Sequence, residues 1–127
     1  MSVEQELIAV NQRLLESIIQ GDWATYVELC DESLTCFEAE SRGQLVEGLP
    51  FHQYYFELPA GSNKKRVTMT GTHVRVMGEG AVLSYVRLTQ YLDAAGAPQT
   101  SRVEETRVWQ KVGGRWKHVH FHRSTSN

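Results

Sequence analysis

The chain has 127 residues, 41% apolar and 22% charged, the balance of one globular domain that buries about two-thirds of its unfolded surface. A formal net charge of −2 exerts no global pull toward nucleic acid or an anionic membrane. No apolar run reaches the roughly 18 residues of a membrane span, and the acidic start MSVEQELIAV lacks the basic n-region of a signal peptide, so the cytoplasm is the expected compartment.

Ser2 with Gln5 makes a capping-box pattern. Val3, Leu7, Val10, Leu14 and Ile18 follow at helical spacing, and Ile8, Leu15 and Ile19 widen the stripe. Gly21 is expected to end this helix, and Asp22 to cap a second one from Trp23 to Cys30. Thr35-Cys36-Phe37 reads as a short extended stretch. A third helix is expected over 49–57, with Pro50 in its first turn, and LPAGSNKK (58–65) reads as a loop.

From Arg66 the texture changes to four extended segments, near 66–77, 81–93, 99–112 and 115–124. Gly113-Gly114 between two of them is a two-residue hairpin signal. At about 3.3 Å per residue such strands span roughly 35–45 Å. Strands this long bend, and helices must cover the concave face. The expected architecture is a single α+β domain, residues 1–127, with N-terminal helices packed on a strongly curved, mainly antiparallel sheet.

Counting strand residues in twos gives one face of each strand. Arg87 falls among Leu83, Tyr85, Thr89 and Tyr91; Arg107 shares a row with Val103 and Trp109, and also with Glu105 and Lys111; Arg123 shares one with Val119 and Phe121. A buried guanidinium costs several kcal/mol unless paired. Either the three arginines converge on the concave side and grip an anion such as a carboxylate, or they pair internally with Glu104, Glu105 or Glu38, or one row faces water.

His118, His120 and His122 stand at i, i+2 and i+4, which places them on one strand face opposite Arg123. No Cys or carboxylate is spaced to complete a zinc site there, so exposed or subunit-interface histidines are expected, without a metal. Protonation of such an interface would loosen it below about pH 6.5. His52, beside Tyr54 and Tyr55, either lines a pocket or is a core histidine. Cys30 and Cys36 are expected as buried free thiols. Trp109, Trp116, Tyr54, Tyr55 and Phe56 exceed what a monomer of this size needs and point to an interface. No G-x-S-x-G, P-loop, G-x-G-x-x-G or H-E-x-x-H pattern occurs. Glu38 and Glu40 suit an acid–base pair, but a turn explains them equally well. Lys64-Lys65-Arg66 is too small a basic run for nucleic acid.

The stretches GDWATYVELCD, LVEGLPFHQYYFE, TQYLDAAG, EETRVW and VHFHR, in order over essentially the whole chain, resemble the association (hub) domain of calcium/calmodulin-dependent protein kinase II. That family belongs to the nuclear-transport-factor-2-like (SnoaL-like) superfamily of cone-shaped α+β rolls. The resemblance implies dimers that pair through their sheets and assemble into two stacked rings. It implies a deep pocket lined by the residues that match Arg87, Arg107 and Arg123, with a histidine matching His52, able to take a small carboxylate. Two departures stand out. Ala60 occupies the position where animal kinase hubs carry a mobile tryptophan. Met1 also leads directly into the first helix, without a kinase domain, calmodulin-binding segment or linker in the sequence itself, as in a free-standing relative or a piece of a longer kinase, and the chain is not expected to be an autonomous enzyme. The expected role is a self-assembling hub with an anion pocket, no cofactor, and copies of itself as partner. The rival reading is a small-molecule-binding protein or a small isomerase, cyclase or hydrolase of the same fold class, since fold does not decide function. An acid–base residue deep in the pocket would favour that rival.

Overall fold

Ser2 caps the first helix as its spacing predicts: its Oγ accepts from the Gln5 N–H at 3.1 Å, and Gln5 Oε1 accepts from the Ser2 N–H at 2.9 Å. The computed structural model in which this is seen describes residues 1–59 and 64–125; Ala60 lies outside the described residues. Helix α1 (Val3–Gln20) buries Leu7, Leu14 and Leu15 completely, while Val3 and Ile8 stay exposed. Gly21 closes it in the left-handed conformation at φ +68°, which glycine adopts without a Cβ clash. Asp22 caps α2 (Trp23–Leu29) through the N–H and hydroxyl of Thr25.

The second helix ends one residue earlier than its pattern suggests. Cys30 opens β1 (Cys30–Phe37), an eight-residue strand where only three extended residues were expected. The cause is non-local: β1 pairs in parallel with the last strand, Cys30 opposite His118 and Thr35 opposite His120, with a shift between them. A 3-10 turn (Ala39–Ser41) and a two-residue strand β2 (Val46–Glu47) follow, neither visible in the sequence pattern. Helix α3 (Pro50–Glu57) has its proline in the first turn.

Four long strands complete the sheet: β3 (Arg66–Met77), β4 (Gly80–Leu92), β5 (Pro98–Val112) and β6 (Arg115–Thr125). The order is β2-β1-β6-β5-β4-β3, antiparallel throughout except at β1–β6. The fifteen residues of β5 make a strand of roughly 50 Å. Gly113 and Gly114 turn it into β6 with φ +59° and +81°, the double positive φ of a type I′ turn that matches strand twist.

The core lies between the helices and the inner face of this sheet. Ala81, Leu83 and Tyr85 of β4 alternate inward, as do Val103, Glu105, Arg107 and Trp109 of β5. Trp109 is fully buried, and its Nε1–H donates to Asn11 Oδ1 at 2.9 Å. Trp116 is also buried, and Phe56 packs on Trp23 and Tyr26. Much of the aromatic surplus thus belongs to the protomer's own core; Tyr54 and Tyr55 remain exposed. Among the described residues no helix is long and apolar enough to cross a membrane.

Strand β6 breaks the two-residue alternation. Its pairing with β5 runs Val108 opposite His120 but Trp109 opposite His118, so one extra residue is inserted, as in a β-bulge. His118 therefore turns inward with Trp116 and Phe121, while His122 is exposed. The three histidines do not share a face, and His118 takes the inward place that counting in twos gave to Val119.

Candidate functional site

Arg87 of β4, Arg107 of β5, Arg123 of β6 and His52 of α3 come together. They line one cavity of about 90 Å³, with Tyr26, Phe56 and Phe121 as apolar walls and Glu38 and Glu40 at its side. At about 30 Å³ for each water in the liquid, that volume matches roughly three waters or one small organic ion.

The arginines are not uncompensated. Glu105, 2% exposed, receives Arg87 Nη1 at 3.0 Å and Arg107 Nη2 at 3.1 Å. Tyr85 donates its hydroxyl to Glu105 Oε1 at 2.5 Å and accepts from Arg107 Nε and Asn11 Nδ2, each at 3.0 Å. Arg123 Nη2 lies 3.4 Å from Glu38 Oε2 and also holds the Glu40 carboxylate. Three guanidiniums thus face three carboxylates. Of the internal partners considered from sequence, Glu105 and Glu38 are used. Glu104 instead lies on the outer face, 3.8 Å from Arg102.

Arg107 is the keystone, 1% exposed and stacked 4.4 Å above the Phe121 ring. Its Nη1 donates to His118 Nε2 at 3.3 Å. A guanidinium only donates, so His118 Nε2 must be the bare nitrogen, and Nδ1–H is left to face Cys30 Sγ at 3.4 Å. Burial raises the Glu105 carboxyl, but the charges of Arg107 and Arg87 outweigh it and hold it below the ordinary range. Burial first, then Arg107, pushes His118 well below its ordinary value.

These shifts fix a pH response. The unfolded His118 titrates near 6.5 and the folded one lower, so between those values the unfolded chain binds more protons and stability decreases as the pH is lowered. His120, also lowered by burial and then His122, acts in the same direction. Glu105 and Glu38, both depressed, add a second loss as pH falls through their folded values. The urea midpoint should therefore drop from pH 7 to pH 5, and faster below about 4.3. A midpoint flat from pH 7 to 5 would contradict the buried neutral His118.

Glu38 joins a second cluster. His52 Nε2 lies 2.8 Å from its Oε1, and His52 Nδ1 is buried without a hydrogen-bond partner among the described residues. Burial raises Glu38, yet the His52 hydrogen bond and the charges around it hold it low. Cys36 Sγ lies 3.5 Å from His52 Nε2, and Cys36, Glu38 and His52 offer ligand atoms within 4.8 Å of one another. A cation there would meet Arg123, and the Cys36 thiol is pushed up to about 12 by burial and then by Glu38. Cys30 and Cys36 are both buried free thiols.

Two donors in this pocket stand open. The buried Nε–H groups of Arg87 and Arg123 have no hydrogen-bond partner among the described residues, whereas Arg107 is committed to Glu105, Tyr85 and His118.

A family model described as the calcium/calmodulin-dependent protein kinase II association domain matches residues 3–127. The delta subunit of that kinase from Oryctolagus cuniculus is 46% identical over 97% of this chain, which spans 24% of the relative's length. A hub homology domain from Chlamydomonas reinhardtii is 48% identical, with a TM-score of 0.94 over 99% of this chain and all of the other. A nuclear-transport-factor-2-like protein from Salmonella enterica, 20% identical over 98% of this chain and 92% of its own, superposes with a TM-score of 0.79, which identifies the same α+β roll. The chain belongs to the family of calcium/calmodulin-dependent protein kinase II association domains.

Proposed function

We infer that this chain is a self-assembly domain that pairs through the outer face of its sheet and builds ring-shaped homo-oligomers, with the arginine pocket as a site for one small carboxylate. The observation that carries assembly is the outer face. Val82, Val86, Leu88 and Val108 stand half-buried in mid-sheet there, flanked by exposed Ser84 and Glu104. All the helical core residues pack on the opposite face. Family membership supports a second copy of this chain as the occupant, and the mass of the native particle is the test.

The pocket reading rests on the open Nε–H donors of Arg87 and Arg123. Buried donors without a partner cost about 1–3 kcal/mol each, and a carboxylate between them would satisfy both. His52 and Glu38 would flank it, while the aromatic walls accept a short aliphatic chain. Acetate or propionate should therefore raise the melting temperature. Ligand at a hundred times its Kd adds about 2.7 kcal/mol to native stability. Arg87→Gln and Arg123→Gln should each remove most of the shift. A wild type unmoved beyond a chloride control at equal ionic strength would remove the ligand from this reading.

The His52–Glu38 pair, a buried imidazole backed by a carboxylate, is the observation that favours the enzymatic rival. Its Nδ1 is buried without a hydrogen-bond partner among the described residues, so the same cavity would have to admit the substrate. Assembly with ligand binding accounts for more of the structure.

A further inference from the structure

The carboxylate nearest the mouth of the pocket belongs to the chain itself. Arg123 Nη2 donates to both carboxylate oxygens of Glu40, the same charge-assisted contact a carboxylate ligand would make with that guanidinium. Glu40 sits on the 3-10 turn and lines the cavity. Its side chain is 36% exposed, against 4% for that of Glu38. Among the described residues Arg123 is the partner found for the Glu40 carboxylate.

Glu38 is clamped by comparison. Its side chain is tied to His52 at 2.8 Å, and its carbonyl accepts from Ser41 Oγ at 2.7 Å. Past the turn, Arg42 holds φ +53° and Gly43 follows at +84°. Arg42 is thus in the left-handed region that few non-glycine residues adopt, the kind of backbone found in segments that switch.

We propose that Glu40 is a tethered competitor, whose carboxylate occupies Arg123 in place of a ligand's and must swing toward solvent before a small carboxylate can bind. This rests on the pocket being a carboxylate site, and it adds a device that sets that site's affinity. The observed affinity is the intrinsic one multiplied by the fraction of time Arg123 is free. The cavity volume of about 90 Å³ is that of the closed form, and withdrawal of Glu40 enlarges it. The buried Nε–H of Arg123 has no hydrogen-bond partner among the described residues, so displacement of Glu40 leaves Nε–H free for the ligand and Nη2 with only Glu38, at 3.4 Å, beside it.

The test is a propionate titration, by calorimetry or NMR, of the wild type, Glu40→Gln, Arg123→Gln and the double variant, each against a sodium chloride control. Glu40→Gln should bind about fivefold more tightly, the scale of a partly exposed ion pair. Glu40→Ala should show the same gain, which separates loss of competition from any contact made by the new amide. Arg123→Gln should bind more weakly, and in that background Glu40→Gln should add nothing. Glu40 variants that bind no more tightly than a wild type that does bind would overturn the competitor while leaving the pocket intact. Propionate binding by none of the proteins above the chloride control would overturn the pocket and the competitor together.

Discussion

Arg107→Ala is expected to lose about 3–5 kcal/mol of stability, the cost of breaking a buried ion pair from one side. Arg107 is 1% exposed and makes contacts that nothing else can replace. It neutralises Glu105, donates to Tyr85 and to His118, and covers the Phe121 ring. The truncated protein would keep Glu105 buried with Arg87 and Tyr85 as its remaining partners, and would leave a cavity beside Trp109 and His118. Arg107→Lys should fall between, since an ammonium keeps the charge but not the fork. Glu105→Gln combined with Arg107→Met should not recover the loss, because it takes from the half-buried Arg87 the carboxylate that neutralises it. Urea midpoints at one fixed protomer concentration give the comparison, since assembly itself contributes to apparent stability. An Arg107→Ala protein as stable as the wild type would mean that guanidinium repulsion, not pairing, dominates the pocket.

Val108→Glu is expected to break the assembly while sparing the fold. Val108 sits on the outer face of β5, directly between Val82 of β4 and His120 of β6, at the centre of the proposed contact. A carboxylate buried there without a partner costs several kcal/mol on each side of a symmetric interface. Its side chain points to the face opposite the buried Arg107 and Trp109, so circular dichroism should stay native while size-exclusion elution shifts to a small species. Val108→Glu that elutes with the wild type would move the contact elsewhere on the protomer.

Much of the fold was legible because its signals are local. The Ser2–Gln5 box, Gly21, Asp22, Pro50 and Gly113-Gly114 each act within a few residues of their own position, and each does what its chemistry dictates. Apart from the 3-10 turn, which Glu38 and Ser41 close within three residues, the misses are non-local. Cys30 joins β1 because His118, far along the chain, pairs with it, and no propensity at Cys30 reports that. The bulge in β6 inverts side-chain parity from one residue to the next, so counting in twos fails at His118 although it holds along β4 and β5. The four expected site residues do share one cavity. What the pattern left open was their compensation: pairing with Glu105 and Glu38 was one of its alternatives, whereas Glu40 stood only as an acid–base or turn residue, and the 3-10 turn delivers it together with Glu38 to Arg123. Glu105 was the available signal, since a carboxylate between Val103 and Arg107 on an otherwise buried row has to be paired.

Self-assembly is the central claim, and native mass spectrometry of the wild-type chain at micromolar concentration tests it most directly. An even multiple of the protomer mass, well above a dimer, is the predicted result. A monomer under those conditions would contradict it.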